Sequence, residues 1–199
     1  MGREAGWIAL ESGIAGGADV ILIPEIPFDI NRVCQTIKRR QLTGRGFSVV
    51  VVAEGAMPIG GKQMIVQAAT QEYQSVRFGG ISFWVAEKIA EGTGMDTRVT
   101  VLGHLQRGGS PNAFDRLLAT RFGTAAVELI AQEKFGYMVC LRGRDIKSVP
   151  IEEAVGKMKR VEPDGQIVHT AELVGIEFGR PDKNETVKNS KPAKKTPAA

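Results

Sequence analysis

The stretches ADVILIPEI, residues 18–26, and SVVVVAEGA, residues 48–56, decide the fold. Both are short apolar runs rich in Val and Ile with no polar alternation. A strand covered on both faces, as in a parallel sheet, has that pattern. RVTVLGHL (98–105) and YMVCL (137–141) are weaker third and fourth strand candidates. Between the runs lie helical stretches: 4–14 before the turn Ala15-Gly16-Gly17, 31–42 ending at Gly44, 80–91, and the longest, 113–134. A glycine such as Gly44 can take the left-handed conformation that closes a helix. Strand alternating with helix predicts an α/β fold, a three-layer sandwich on a mainly parallel sheet. Residues 58–78, polar and Gln-rich, break the rhythm and are expected to form a surface helix or excursion.

Length and charge bound the rest. The chain has 199 residues, 43% of them hydrophobic, enough for one compact domain with a buried core. Its net charge of +4 sits entirely at one end. Arg180, Lys183, Lys188, Lys191, Lys194 and Lys195 stand there against Asp182 and Glu185, which leaves residues 1–179 neutral. We therefore read a single domain over 1–179 and a disordered Lys/Pro/Ala-rich tail over 180–199, too poor in apolar residues to order itself. A polybasic nucleic-acid binder is the least favoured reading on the same ground, because the charge sits in the tail and the body offers no aromatic stacking platform. Cys34 and Cys140 are far apart and in no metal or redox spacing, which suits a reducing, cytoplasmic setting. No signal peptide or membrane-length apolar run is present, so a soluble chain is expected.

In an open parallel sheet, ligands collect outside the carboxyl ends of the strands. That rule points to Glu54, to Pro24-Glu25, and to the loop Gly103-His104-Leu105-Gln106-Arg107-Gly108-Gly109-Ser110-Pro111. A ligand that carries both a phosphate and sugar hydroxyls needs cationic donors, best as arginine forks, and a carboxylate acceptor on a rigid strand end. Arg98, His104 and Arg107 can supply the first and Glu54 the second. Taken singly, His104 also suits a structural histidine, Arg98 a surface charge and Gly108-Gly109 a plain turn.

Together these residues resemble a family. Met1-Gly2-Arg3, the run GWIALESGIAGGADVILIPE, the strand-end AEG at 53–55 and above all TRVTVLGHLQRGGSPNAFDRLLATRFG at 97–123 look like the phosphofructokinases. The resemblance runs from Met1 to about Gly179 and is strongest to the bacterial subgroup with ATP-dependent and pyrophosphate-dependent members. It implies that Met1 and Arg3 contact fructose 6-phosphate and the transferred phosphoryl group, with Arg3 the catalytic residue. Glu54 would bind sugar hydroxyls, His104 and Arg107 the 6-phosphate. Arg98 would reach that phosphate across a subunit interface, which implies a homo-oligomer, usually a tetramer.

Phosphoryl transfer also needs a donor cradle, a magnesium site and a base beside the attacking hydroxyl. In the family these come from glycine-rich loops, a Gly-Gly-Asp or Gly-Gly-Glu loop and a Thr-Ile-Asp-Asn-Asp segment. This sequence contains none of them, and they would lie before Met1. The expectation is a carboxy-terminal fragment, truncated at the amino terminus and inactive alone. It would hold the sugar-phosphate site of an enzyme that uses magnesium with ATP or pyrophosphate. The alternative is a non-catalytic sugar-phosphate-binding or regulatory module that pairs with a separate donor-binding chain.

Overall fold

A computed structural model describes residues 1–61, 65–67, 77–78 and 80–181. Residues 182–199 of the expected tail and most of 58–78 therefore fall outside the described residues. The chain divides into two compact units, one of Met1–Val101 with the chain from Arg160 on, the other Leu102–Lys159.

The first unit is built on the two opening runs. Strands β1 (Val20–Leu22) and β2 (Val50–Val52) pair in parallel, Val20 opposite Val50 and Leu22 opposite Val52. The three residues of β1 are fully buried, as a strand covered on both faces must be. Side chains alternate across the sheet and so feed two separate cores. Ile21 and Ile23 pack with Leu10 of helix α1 (Trp7–Ala15) and with Val168 and Ala171 of a late helix, Gln166–Leu173. Val20 and Leu22 pack with Val33 and Ile37 of α2 (Ile30–Leu42) and with Val85 and Ile89 of α3 (Ile81–Thr93). Helix, sheet and helix form the three layers of an α/β protein.

Local chemistry sets the helix ends. The Asp29 side chain accepts a hydrogen bond from the Asn31 N–H at 2.8 Å and caps α2, whose last turn carries Arg39 and Arg40 against the carbonyl end of the dipole. Gly44 (φ +84°) then takes the left-handed conformation expected after α2, and Gly94 (φ +72°) takes it after α3. The first helix starts three residues later than its sequence pattern suggests, because residues 1–6 are held elsewhere, at the strand ends.

The 98–105 strand does not form. Met95, Thr97 and Val99 are half-buried while Asp96, Arg98 and Thr100 are exposed, which is the period-two alternation of a strand, yet the segment joins no ladder. It instead walls a cavity of about 290 Å³ beside Val50 and Val52 of β2 and Val85 and Ile89 of α3. Gly103–Arg107 closes into a 3₁₀ turn. Two short strands, β3 (Ile65–Gln67) and β4 (Arg77–Phe78), pair antiparallel where a helix or excursion was expected.

In the second unit, α4 (Ala113–Ala131) begins with a reciprocal capping box between Asn112 and Asp115. The 137–141 run is a strand, as its composition suggests, but not a parallel one. Strand β5 (Tyr137–Arg142) pairs antiparallel with β6 (Asp145–Pro150), which sequence reading missed. Only Gly143 and Arg144 separate the two, too few residues for a parallel crossover. A short helix α5 (Ile151–Val155) follows, and the late helix named above is α6. Among the described residues no helix is long and apolar enough to cross a membrane.

Candidate functional site at the strand carboxyl ends

The polar residues of the first unit gather where β1 and β2 end. The Ala53 N–H still continues the sheet to the Leu22 carbonyl at 2.9 Å. Beyond it the chain turns to the amino-terminal segment. Glu54 N–H donates to the Met1 carbonyl and Gly55 N–H to the Gly2 carbonyl, each at 3.0 Å. The Glu54 carboxylate lies 3.4 Å from the Met1 amino group, with both side chains partly buried. Met1, Arg3 and Glu54 are thereby brought together from opposite ends of 50 residues. Arg3 is exposed beside them.

Gly55 is what lets this happen. A Cβ there would overlap the Arg3 carbonyl oxygen and crowd its carbonyl carbon at 2.6 Å, so only glycine allows the two backbones to cross. The sequence signal was the AEG motif, although spacing alone does not say what approaches Gly55.

Glu25 was flagged by its position after β1 but given no task. Its carboxylate accepts from the Gly6 N–H at 3.0 and 3.1 Å and from the Val161 N–H at 2.9 Å. It thus ties the end of the Met1–Gly6 segment to the sheet and to the returning chain. Gly6 is buried, so losing this acceptor leaves an unsatisfied donor. Glu25→Ala is expected to cost about 2–3 kcal/mol, read as a lower urea midpoint at unchanged m, with Glu25→Gln recovering part of the loss. An unchanged midpoint in Glu25→Ala would remove the clamp from the account.

The Arg98 side chain is 90% exposed and pairs with Asp96 at 3.6 Å. His104 and Arg107 belong to the second unit, on the 3₁₀ turn Gly103–Arg107, where both are exposed. Gly108 follows in extended backbone and Gly109 at φ +95°. Cys34 is buried, and desolvation pushes its thiol above the ordinary range, only partly offset by nearby Lys38. Arg180, first residue of the expected tail, pairs with Asp164 at 3.1 Å and Glu172 at 2.8 Å. Among the described residues no three His, Cys, Asp or Glu side chains gather as metal ligands would.

A parallel α/β protein with a carboxylate and an arginine collected at its strand carboxyl ends belongs to the class whose ligand sites form there. The phosphofructokinase family model matches residues 1–130. An ATP-dependent 6-phosphofructokinase of Chloroflexus aggregans is 54% identical over 179 residues, covering 90% of this chain and 48% of the relative. A pyrophosphate–fructose 6-phosphate 1-phosphotransferase of Streptomyces coelicolor is 50% identical, covering 90% and 51%. The solved pyrophosphate-dependent phosphofructokinase of Marinobacter aquaeolei superimposes with a TM-score of 0.66 at 25% identity, over 93% of this chain and 44% of that one. The chain belongs to the phosphofructokinase family. It spans about half the length of the curated relatives it matches.

Proposed function

We propose that this chain is the fructose 6-phosphate-binding part of a 6-phosphofructokinase, an enzyme that moves a phosphoryl group onto the sugar 1-hydroxyl. The observation that carries the reading is the docking of Met1-Gly2-Arg3 on Glu54-Gly55 at the sheet's carboxyl end. Glu54 would accept hydrogen bonds from sugar hydroxyls, a role that its half-buried carboxylate at the strand end supports. The exposed guanidinium of Arg3 would meet the charge that builds on the transferred group, where a fixed cation acts more strongly than solvent. His104 and Arg107 would hold the 6-phosphate; the arginine fork can bind two of its oxygens at once.

The exposure of Arg98 suits a residue that reaches a neighbouring subunit, and a homo-oligomer, a tetramer by family resemblance, goes with that role. The donor is ATP or pyrophosphate with magnesium, and relatives named for each donor match at 54% and 50% identity. Donor, metal and catalytic base would be held by polypeptide outside this sequence, so no step is assigned to residues here beyond sugar binding and charge stabilisation. A cytoplasmic setting fits two free cysteines.

Titration calorimetry tests the reading. The chain, alone or with the matching donor half of a relative, is expected to bind fructose 6-phosphate saturably and fructose not at all. No binding of fructose 6-phosphate under either condition would overturn it.

A further inference from the structure

Glu25 lies in the turn after β1, between Ile23 and Ile26, whose side chains are buried and whose backbones are joined by a 3.2 Å hydrogen bond. Its carboxylate starts from a fixed point and ends at the amino terminus of α1. Gly6 is the N-cap of that helix, and the first turn carries no acidic residue. In a capping box the third residue of the helix accepts a hydrogen bond from the N-cap N–H. Here that residue is Ala9, which cannot accept one, and Glu25 accepts in its stead from 19 positions away. Both carboxylate oxygens receive the Gly6 N–H, and Oε1 also receives the Val161 N–H.

The join is tight as well as bonded. A Cβ on Gly6 would lie 2.4 Å from the Ile23 Cβ and 2.9 Å from Glu25 Oε2, so Gly6 rests directly on the strand end. The Met1–Gly6 segment is thereby pinned twice. Glu54 and Gly55 hold it through the Met1 and Gly2 carbonyls, and Glu25 holds it through Gly6. Arg3 lies between the pins with its side chain exposed. One pin would let the segment turn about the crossing at Gly55; two fix its path and the direction in which the guanidinium leaves it.

We propose that Glu25 is a positioning residue for Arg3: by holding Gly6 it sets where the guanidinium meets a phosphoryl group on the sugar 1-oxygen. The ligand in this inference rests on the role proposed above for Arg3; the double pinning does not. A misplacement of about 1 Å can cost roughly a hundredfold at a reacting centre. A side chain that acts only through a backbone can therefore govern binding at that oxygen.

Two readouts on Glu25→Ala and Glu25→Gln test this, under conditions where circular dichroism shows each variant folded. Gln keeps the size of the side chain but turns an amide donor toward the N–H groups. Amide hydrogen exchange is read first, without ligand. The Glu54 and Gly55 amides should exchange faster than in the parent, while the Ala53 amide, bonded within the sheet to Leu22, should keep its protection. Calorimetry on the chain, alone or with the matching donor half of a relative, then compares fructose 6-phosphate with fructose 1,6-bisphosphate, which carries the group Arg3 would meet. Glu25→Ala should weaken the bisphosphate roughly tenfold or more and the monophosphate much less, with a smaller bias in Glu25→Gln. Arg3→Ala should show the same bias, and the double variant Arg3→Ala/Glu25→Ala should lose no more than Arg3→Ala does.

Binding by the parent with unchanged exchange at Glu54 and Gly55 in the variants sinks this inference alone. Equal losses for the two sugar phosphates, or losses that add in the double variant, also overturn it, because a merely structural clamp does not act through Arg3. Should the parent bind neither sugar phosphate, the proposed function falls. Faster exchange at the two amides would then still uphold Glu25 as the residue that sets the path of Arg3.

Discussion

Gly55→Ala is expected to abolish measurable fructose 6-phosphate binding and to destabilise the first unit by about 1–3 kcal/mol, the usual cost of overpacking. The added methyl would overlap the Arg3 carbonyl, which is rigid backbone and cannot swing aside as a side chain could. The Met1–Arg3 segment must then leave the strand end and give up the two 3.0 Å hydrogen bonds to Glu54 and Gly55. Arg3 and Glu54 separate as a result, so affinity falls further than stability. Calorimetry and urea unfolding on the same preparation show both effects. Retained affinity with only lowered stability would mean that Arg3 and Glu54 do not act on one ligand.

Arg107→Ala should act in the opposite proportion. Its side chain is exposed on the 3₁₀ turn, so removing it should change unfolding by no more than about 0.5 kcal/mol. Hydrogen bonds to a charged phosphate contribute about 1.5–3 kcal/mol, and affinity for fructose 6-phosphate, or KM in the longer enzyme, should worsen roughly tenfold to a hundredfold. Arg107→Lys should recover only part of this, because an ammonium cannot reproduce the two-pronged contact. An unchanged affinity for the sugar phosphate would remove Arg107 from the site.

These two glycine and arginine positions differ in how they could be read. The role proposed for Arg107 rests on its loop, where residue type and motif suggest the chemistry. Gly55 was legible only as a glycine after a strand, since what it accommodates comes from 52 positions earlier in the chain. Glu25 shows the same limit more sharply. Its carboxylate clamps the backbones of Gly6 and Val161, the latter 136 residues away, and no local spacing encodes that pair.

Sequence by itself determined the two parallel strands, because runs of Val and Ile without alternation suit strands packed on both faces, fully so for β1 and partly for β2. It also determined the end of α2, through Gly44, whose left-handed turn is complete within a turn of chain. Only the tertiary structure decided that Arg98–Leu105 stays unpaired and that Tyr137–Arg142 turns back on Asp145–Pro150. It alone brought Met1, Arg3 and Glu54 to one place. Strand pairing and close backbone crossings depend on which distant segment lies alongside, and that information is carried by packing over the whole unit, not by the residues that make the contact.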